Sequence, residues 1–315
     1  MISIRNILYP TDFSSGANQG FPHALQLARR YGADLHLLHV ELPGEYDPSN
    51  TACFFPDEWV GVAPSEHPAN RRADAFPSCY DVGDLEVERQ IVRAISAAPA
   101  ILRYSEDREI DLIMMATRGR RGLTHLFLGS VAEEVVRQAP CPVLTMRGRD
   151  QKVPAGGWSR ILVPVDFSER SKLAFAIARE TAARYDAGVD LVHVVEEHLH
   201  PVFLVAGKSS IFQVLPDRKK QALKKMQTLV ASTPGPDVPV EIHVLEGGAG
   251  RGILEFAAEN CSDLIVIGTH GLTGVKRFVL GSVAERVVRR SPCPVLTVKE
   301  SGRSLIRTSP SALAG

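Results

Sequence analysis

The sequence predicts an α/β protein made of two tandem doubly wound domains, each a five-stranded parallel sheet with helices on both faces. Two stretches, 111–146 and 263–298, align without a gap and are identical at 21 of 36 positions. The motif Ile-Leu-Tyr-Pro-Thr-Asp-Phe-Ser at 7–14 also returns as Ile-Leu-Val-Pro-Val-Asp-Phe-Ser at 161–168. Each copy spans about 145 residues, which is the size of an ordinary domain and too long for a solenoid repeat. We therefore expect domains at 1–147 and 158–300.

Segments that favour strands and helices alternate along the second copy. In chain order they are a strand at Arg160–Val165, a helix at Lys172–Tyr185, a strand at Val189–Val194, a basic helix at Pro216–Val230, a strand at Val240–Leu245, a helix at Ile253–Asn260, a strand at Asp263–Ile267, a helix at Ser282–Arg290 and a strand at Val295–Val298. Several strands are apolar throughout, which is typical of parallel sheets covered on both faces. Right-handed crossovers then favour a doubly wound domain.

The first copy follows the same plan except between its second strand, Leu35–Val40, and its third, about Leu85–Val92. The segment Leu42–Gly83 is rich in Pro, Asp, Ser and Asn and has no helical period. Its aromatic residues, Phe54, Phe55 and Trp59, indicate a lid over a site, a cover on the other domain, or a plain surface insertion. Residues 148–158 are interpreted as the interdomain linker and 301–315 as a disordered tail.

Composition narrows the class of protein. The chain has 315 residues, 44% hydrophobic and 23% charged, and no apolar run reaches the ~18–20 residues of a membrane helix. The N-terminus lacks the features of a signal peptide, so a cytoplasmic location is expected. With a formal net charge of zero, the chain has no overall positive field that would attract nucleic acid or an anionic membrane. The five cysteines have no metal-ligand spacing, so we expect reduced packing residues and no metal site.

Glycines mark the chemistry of the second copy. Gly268-Thr-His-Gly271 follows the fourth strand, and after nine residues Gly281-Ser282 opens a helix. Glycines let a backbone approach an anion closely, and a helix N-terminus offers free N–H groups and a positive dipole end. This pattern is neither a Walker A loop nor the dinucleotide-binding fingerprint. A capping box at Ser282–Glu285, repeated at Ser130–Glu133, explains the serine and the glutamate but not the glycines.

The position of an acidic residue supports a binding site. Ligands of open α/β sheets bind beyond the carboxyl ends of the strands where the strand order reverses, here between the first and fourth strands of a copy. Asp166 follows the first strand and Gly268 the fourth. The carboxylate is then available to a polar ring or a sugar while the loop holds phosphates. The alternative is that Asp166 caps the following helix.

These residues resemble the universal stress protein family, in its tandem form, over about 3–147 and 158–299. The family signature Gly-x2-Gly-x9-Gly-Ser/Thr stands here as Gly268, Gly271, Gly281 and Ser282. The resemblance implies ATP or another adenine nucleotide as the ligand. Whether Mg²⁺ binds with the nucleotide is left open. The implied contacts in the second copy are Pro164, Asp166, Val194, Ile267, Gly268, His270, Gly271, Gly281, Ser282, Val283 and Ala284. A weaker set in the first copy comprises Pro10, Asp12, Val40, Met115, Gly119, Gly129, Ser130, Val131 and Ala132.

The two copies differ at the first glycine of the signature, which is Ala116 in the first copy. If that backbone requires a positive φ, the methyl group costs about 1–2 kcal/mol, or roughly tenfold in affinity. The second site is therefore expected to bind more tightly. Arg118, Arg120 and Arg121 lie in the same loop and could offset the difference by meeting phosphate charge.

No catalytic arrangement is apparent in the sequence. His270 is a candidate for a phosphate contact without an orienting partner, and His39 and His193 are expected to pack or to form hydrogen bonds. The favoured function is a nucleotide-binding stress or regulatory protein whose occupancy alters domain packing or partner choice. The alternatives are a slow ATPase or nucleotide hydrolase, and an interaction module with vestigial sites. The apolar last strands of the copies are expected to pair as an intramolecular pseudo-dimer, and a homodimer of whole chains stays open.

Overall fold

The computed structural model describes residues 2–42, 80, 82–117, 128–147, 157–196, 210–269, 280–299 and 302–306. These residues form two compact units. The first takes its residues from 3–151 together with 302–305, and the second from 152–300 together with Ile2 and Ile306. Within the described ranges, no helix combines the length and the apolarity needed to cross a membrane.

The first unit alternates strands and helices around one parallel sheet. Its elements are β1 (Asn6–Pro10), α1 (Ser15–Tyr31), β2 (Asp34–Glu41), β3 (Val87–Arg93), α2 (Ala97–Asp107), β4 (Leu112–Ala116), α3 (Ser130–Gln138) and β5 (Val143–Met146). The strand order is β3-β2-β1-β4-β5, and every pairing between these strands is parallel. The central strand β1 is buried from Ile7 to Pro10, as expected for a sheet covered on both faces.

The second unit repeats this plan. Its elements are β6 (Arg160–Pro164), α4 (Glu169–Tyr185), β7 (Gly188–Val195), α5 (Ile211–Val214), α6 (Pro216–Ser232), β8 (Val240–Glu246), α7 (Ala249–Glu259), β9 (Leu264–Gly268), α8 (Ser282–Arg290) and β10 (Val295–Val298). The strand order is β8-β7-β6-β9-β10, again parallel throughout. The doubly wound fold predicted from the sequence is confirmed, and in each unit the first strand lies next to the fourth.

Two helix starts differ from the sequence prediction and one short helix was not predicted, each for a local reason. Helix α4 begins at Glu169 because the Ser168 hydroxyl accepts a hydrogen bond from the Ser171 N–H at 3.2 Å, and its polar first turn hides the helical period. Helix α7 begins at Ala249, four residues early, where low-propensity glycines obscured the pattern. Helix α5 has only four residues, too few for a periodic signal.

Residues 302–306 are ordered, although the sequence indicated a disordered tail over 301–315. Leu305 is 2% exposed, and its carbonyl accepts a hydrogen bond from the Ser3 N–H at 3.0 Å. The Arg303 N–H donates to the Pro140 carbonyl at 2.8 Å, and its Nη1 donates to the carbonyls of Ser105 and Ile110 at 3.3 and 3.2 Å. The segment 302–305 therefore completes the first unit, and the expected disorder is wrong for these residues.

The insertion of the first copy is described only at its ends. Tyr80 packs edge-to-face on Phe21 of α1, with ring centroids 5.3 Å apart, and its hydroxyl donates to the Asn18 carbonyl at 2.9 Å. The insertion is thus attached to α1 just before β3. Phe54, Phe55 and Trp59 lie outside the described residues.

The cysteines fall into two groups. Cys141 and Cys293 are buried before the last strand of each unit and are not in disulfides, and burial raises the pKa of the Cys293 thiol to about 11. A thiol with so high a pKa stays protonated at neutral pH and packs as a small apolar group. Cys261 is exposed, at a φ of 51°, so the packing interpretation is wrong for this residue. Cys53 and Cys79 are outside the described ranges.

Candidate functional site

The candidate site of the second unit lies at the carboxyl edge of its sheet, between β6 and β9. Leu162 pairs with Ile265, so the loop after β6 and the end of β9 leave the sheet side by side. This edge carries Pro164, Asp166, Val194, Ile267, Gly268, Gly281, Ser282, Val283 and Ala284. The corresponding edge of the first unit carries Pro10, Asp12, Val40, Met115, Gly129, Ser130, Val131 and Ala132. Gly119, His270 and Gly271, together with Arg118, Arg120 and Arg121, lie outside the described residues.

The helices that follow the fourth strands begin without a side-chain cap. Gly281 is the N-cap of α8, with φ −62° and ψ 145°, and Gly129 is the N-cap of α3, with φ −62° and ψ 142°. The capping boxes expected at Ser282 and Ser130 are wrong, because both serines stand at the first helical position and are exposed. A glycine N-cap has no side chain to occupy the first N–H groups, so this helix end presents bare backbone donors.

One threonine in each unit attaches the start of this helix to the neighbouring strands. In the second unit the Thr269 N–H donates to the Val298 carbonyl at 3.0 Å, and the Thr269 carbonyl accepts from the Gly281 N–H at 2.8 Å. Thr117 makes the same two bonds in the first unit, to Met146 at 2.7 Å and from Gly129 at 2.9 Å. The N-terminus of α8 is therefore held directly beside the end of β9. Sequence reasoning passed over these threonines, although their identity in both copies was a signal.

Gly268 is required by close approach and not by backbone conformation. Neither Gly268 nor Ala116 is among the residues with positive φ, so the expected strain at Ala116 is wrong. A Cβ at Gly268 would lie 3.0 Å from the Arg170 Cβ and 3.3 Å from the Arg170 carbonyl carbon. The residue equivalent to Arg170 in the first copy is Gly16. Each copy therefore has glycine at one of the two contacting positions: Gly268 faces Arg170 in the second copy, and Gly16 is paired with Ala116 in the first. Backbone strain at Ala116 thus gives no reason for a weaker first site.

Gly268→Ala is expected to lower the free energy of unfolding by about 1–2 kcal/mol through overpacking against α4. Adding Arg170→Gly recreates the first-copy pair and should recover part of this loss, with a coupling energy of roughly 1 kcal/mol in denaturant titrations. Gly252→Ala is the matched control, because its Cβ would meet nothing nearer than 3.7 Å. Strictly additive effects of the two substitutions would contradict the close-approach explanation.

The loop after β6 is held by its own polar groups. Asp166 Oδ1 accepts hydrogen bonds from the Ser168 N–H at 3.0 Å and the Ser168 hydroxyl at 2.6 Å. Ser168, and not Asp166, is the N-cap of α4. In the first unit the Ser14 N–H likewise donates to Asp12 Oδ1 at 2.9 Å. The capping alternative for the aspartate is therefore replaced by a turn that fixes the direction of its carboxylate.

The histidines at the ends of the second strands form hydrogen bonds, as expected. His193 Nδ1 lies 2.8 Å from the Val165 carbonyl, and His39 Nδ1 lies 2.8 Å from the Thr11 carbonyl. Each imidazole also packs on the phenylalanine of its loop, with ring centroids 4.6 Å apart for Phe167 and 4.7 Å for Phe13. Both histidines thus attach the loop to the neighbouring strand.

A second polar cluster, missed by the sequence analysis, lies on β6, β7 and β8. The buried Asp190 carboxylate accepts hydrogen bonds from Arg160 Nε at 2.5 Å and Nη2 at 3.0 Å, and lies 2.9 Å from His243 Nε2. Asp190, Glu241 and His243 are near enough to share a metal ion, but the guanidinium already supplies a cation to both oxygens of Asp190. This hydrogen bond to Asp190 raises the pKa of Arg160. We assign the cluster to stability.

Comparison with known proteins agrees with this architecture. Universal stress protein MJ0531 of Methanocaldococcus jannaschii is 36% identical over 146 residues, which is 45% of this chain and 83% of that protein. Universal stress protein Rv2005c of Mycobacterium tuberculosis is 29% identical over 219 residues, covering 69% of this chain and 70% of the relative. A universal stress protein structure from Archaeoglobus fulgidus shares the fold with a TM-score of 0.68 and 20% identity, covering 94% of this chain and 98% of that one.

The universal stress protein family model matches the chain twice, over residues 3–147 and 157–299. These two matches include all the strands of both units and both glycine-capped helices. The chain therefore belongs to the universal stress protein family and contains two such domains in tandem.

Proposed function

We propose that this protein is a stress-response regulator that binds ATP, or another adenine nucleotide, between β6 and β9 and in the matching crevice between β1 and β4. Occupancy then alters domain packing or the choice of partner. The observation that carries the proposal is the pair of helices that begin at a glycine N-cap without a side-chain cap, at the edge where the strand order reverses. Such edges are the usual ligand sites of open α/β sheets.

The phosphates are assigned to the N-terminus of α8. The first N–H groups of the helix, at Ser282, Val283 and Ala284, combine hydrogen-bond donors with the positive end of the helix dipole. Glu285 in the first turn would repel an anion, but its Oε1 lies 2.8 Å from Arg289 Nη2. This ion pair compensates the carboxylate charge and leaves the helix end favourable to phosphate.

The nucleoside is assigned to the loop after β6 and the end of β7. Val194 is 9% exposed and Pro164 is buried at the end of β6, so both offer apolar contact to a purine ring. Asp166 stands two residues after Pro164, with its carboxylate oriented by Ser168. A carboxylate in this position suits the hydroxyl groups of a ribose, because it only accepts hydrogen bonds.

We propose a binding protein and not an enzyme. Of the polar groups described near the crevice, Asp166 is oriented by Ser168 and is assigned to the ribose, and His193 bonds to Val165 and is assigned to positioning. General base catalysis needs a group within reach of the nucleophile and a partner that orients it.

The cytoplasmic location expected from the sequence stays a prediction.

ATP hydrolysis by the purified protein is expected to be slow, well below the median enzyme turnover of about 10 s⁻¹. The measurement is phosphate release with and without Mg²⁺, with heat-denatured protein as the blank. Turnover at or above that rate, abolished by His270→Ala, would instead identify an ATPase.

The proposal is tested by mass spectrometry of the nucleotide released when the purified protein is denatured. Release of ATP supports a nucleotide-binding regulator. Release of ADP or AMP indicates turnover and favours the hydrolase. The absence of any nucleotide, together with no binding in an ATP titration, favours an interaction module with vestigial sites.

A further inference from the structure

A strained phenylalanine occurs at the same place in both units. Phe13 has φ 59° and Phe167 has φ 67°, each one residue after the aspartate of the candidate site. A side chain with a Cβ is destabilised in this left-handed region, which favours glycine and asparagine. Strain of this kind persists only where the surrounding structure enforces it, and it clusters at functional sites. Its presence in both copies indicates a requirement of the loop.

The histidine of the neighbouring strand is the group that holds the strained loop. Because a carbonyl oxygen only accepts hydrogen bonds, His193 Nδ1 carries the ring hydrogen and donates a hydrogen bond to the Val165 carbonyl. The Val165 N–H donates to the Val192 carbonyl at 2.8 Å, so both polar groups of this backbone unit bond to β7. His39 does the same for Thr11, whose N–H donates to Leu38 at 2.8 Å.

The aromatic ring explains why phenylalanine is present in place of glycine. Phe167 packs on the His193 imidazole, and Lys225 Nζ of α6 lies 5.6 Å from the centre of the same ring. Ring contacts of both kinds are stabilising and offset the backbone strain. A glycine at this position would remove the strain and also the ring that the histidine holds.

From this geometry we propose that His193 and His39 are positioning residues for nucleotide binding. Each donates a hydrogen bond to the carbonyl of the residue before the aspartate, and this bond fixes the loop that carries Asp166 or Asp12. The inference rests on the proposed function for its ligand, whereas the fixed loop is a property of the protein without nucleotide. A ligand then binds without the entropic cost of ordering the loop.

The test compares two substitutions of His193 in the full-length chain. His193→Leu replaces the imidazole with an apolar side chain and removes the donor, while His193→Asn keeps an N–H group on Cγ, where His carries Nδ1. We expect His193→Leu to accelerate hydrogen exchange of the Ser168 amide at least tenfold, and His193→Asn to leave it within about threefold. The Ser14 amide of the first unit is the internal control and should not change in either variant.

Titration with ATP then separates the two proposals. His193→Leu should weaken binding at the second site about tenfold, or ~1.4 kcal/mol, with near-wild-type affinity in His193→Asn. Unchanged Ser168 exchange in His193→Leu would overturn the positioning role, whatever the titration shows. Equal loss of affinity in both variants would also overturn it. If the wild-type protein binds no nucleotide while Ser168 exchange accelerates as expected, the proposed ligand is wrong and the positioning role of the histidine stands.

Discussion

Valine in place of Gly281 is expected to abolish tight ATP binding at the second site, with a loss of roughly 100-fold or more. The branched side chain would stand at the N-cap of α8, where the phosphates need bare backbone. The interactions at risk are charge-assisted hydrogen bonds and the helix dipole, together about 2–4 kcal/mol. Calorimetric titration should then show one site per chain where the wild-type protein shows two.

Gly129→Val should remove the other site in the same way, because the N-caps of α3 and α8 have nearly equal backbone angles. The matched control is Gly248→Val, at the N-cap of α7, where a Cβ would meet nothing within 4 Å. That helix follows β8, away from the point where the strand order reverses. Loss of ATP binding in the control, or two intact sites in Gly281→Val, would contradict the assignment of the phosphates.

Alanine in place of Gly302 is expected to detach the C-terminal segment and to lower the free energy of unfolding by about 3–5 kcal/mol. Gly302 has φ 109°, and a Cβ there would lie 2.2 Å from the Pro140 carbonyl oxygen. Because the Pro140 backbone cannot withdraw cheaply, the segment must move. It then loses the burial of Leu305, worth about 2–3 kcal/mol, and the hydrogen bonds of Arg303.

The control for this variant is Gly247→Ala. Gly247 has φ 106° but open space around it, so alanine there should cost only the backbone strain of roughly 1–2 kcal/mol. The measurements are chemical denaturation and hydrogen exchange of the Ser3 amide, which bonds to Leu305. If both alanine variants lose the same stability and the Ser3 amide stays protected, the segment contributes nothing beyond its backbone conformation.

The fold followed from the sequence because its signals are local and occur twice. Apolar strands such as β6 and β9, spaced by helical periods, determine a parallel sheet, and the right-handed crossover rule determines the strand order. Helix starts were less accurate where polar or glycine-rich turns, as at Glu169 and Ala249, lack a period. The order of residues 302–305 could not be predicted, because a short polar segment reveals nothing of the surface that receives it.

The sequence likewise predicted some features of the candidate site and not others. The glycines and aspartates were visible in the sequence because they follow strand ends at a fixed spacing. The reason for Gly268 was not, since it depends on the distance to Arg170 on a helix almost 100 residues earlier. The glycine N-caps of α3 and α8 were predicted as serine N-caps. The true cap lies only one residue before the serine, and the sequence pattern does not distinguish the two positions. The hydrogen bond of His193 to Val165 likewise requires two strands to be placed side by side.

The attachment of residues 302–305 to the first unit has a consequence for how the protein is made. The first unit is completed by a segment that the ribosome adds only after all the strands and helices of the second unit. At a synthesis rate of about 5–20 residues per second, the roughly 155 residues between the end of β5 and Gly302 take about 8–30 s to add. During this interval the nascent first half lacks Leu305 and the arginine that bonds to its carbonyl groups. The apolar surface that receives Leu305 stays open until that residue is added, so the first unit completes its folding only after the second unit has been synthesised.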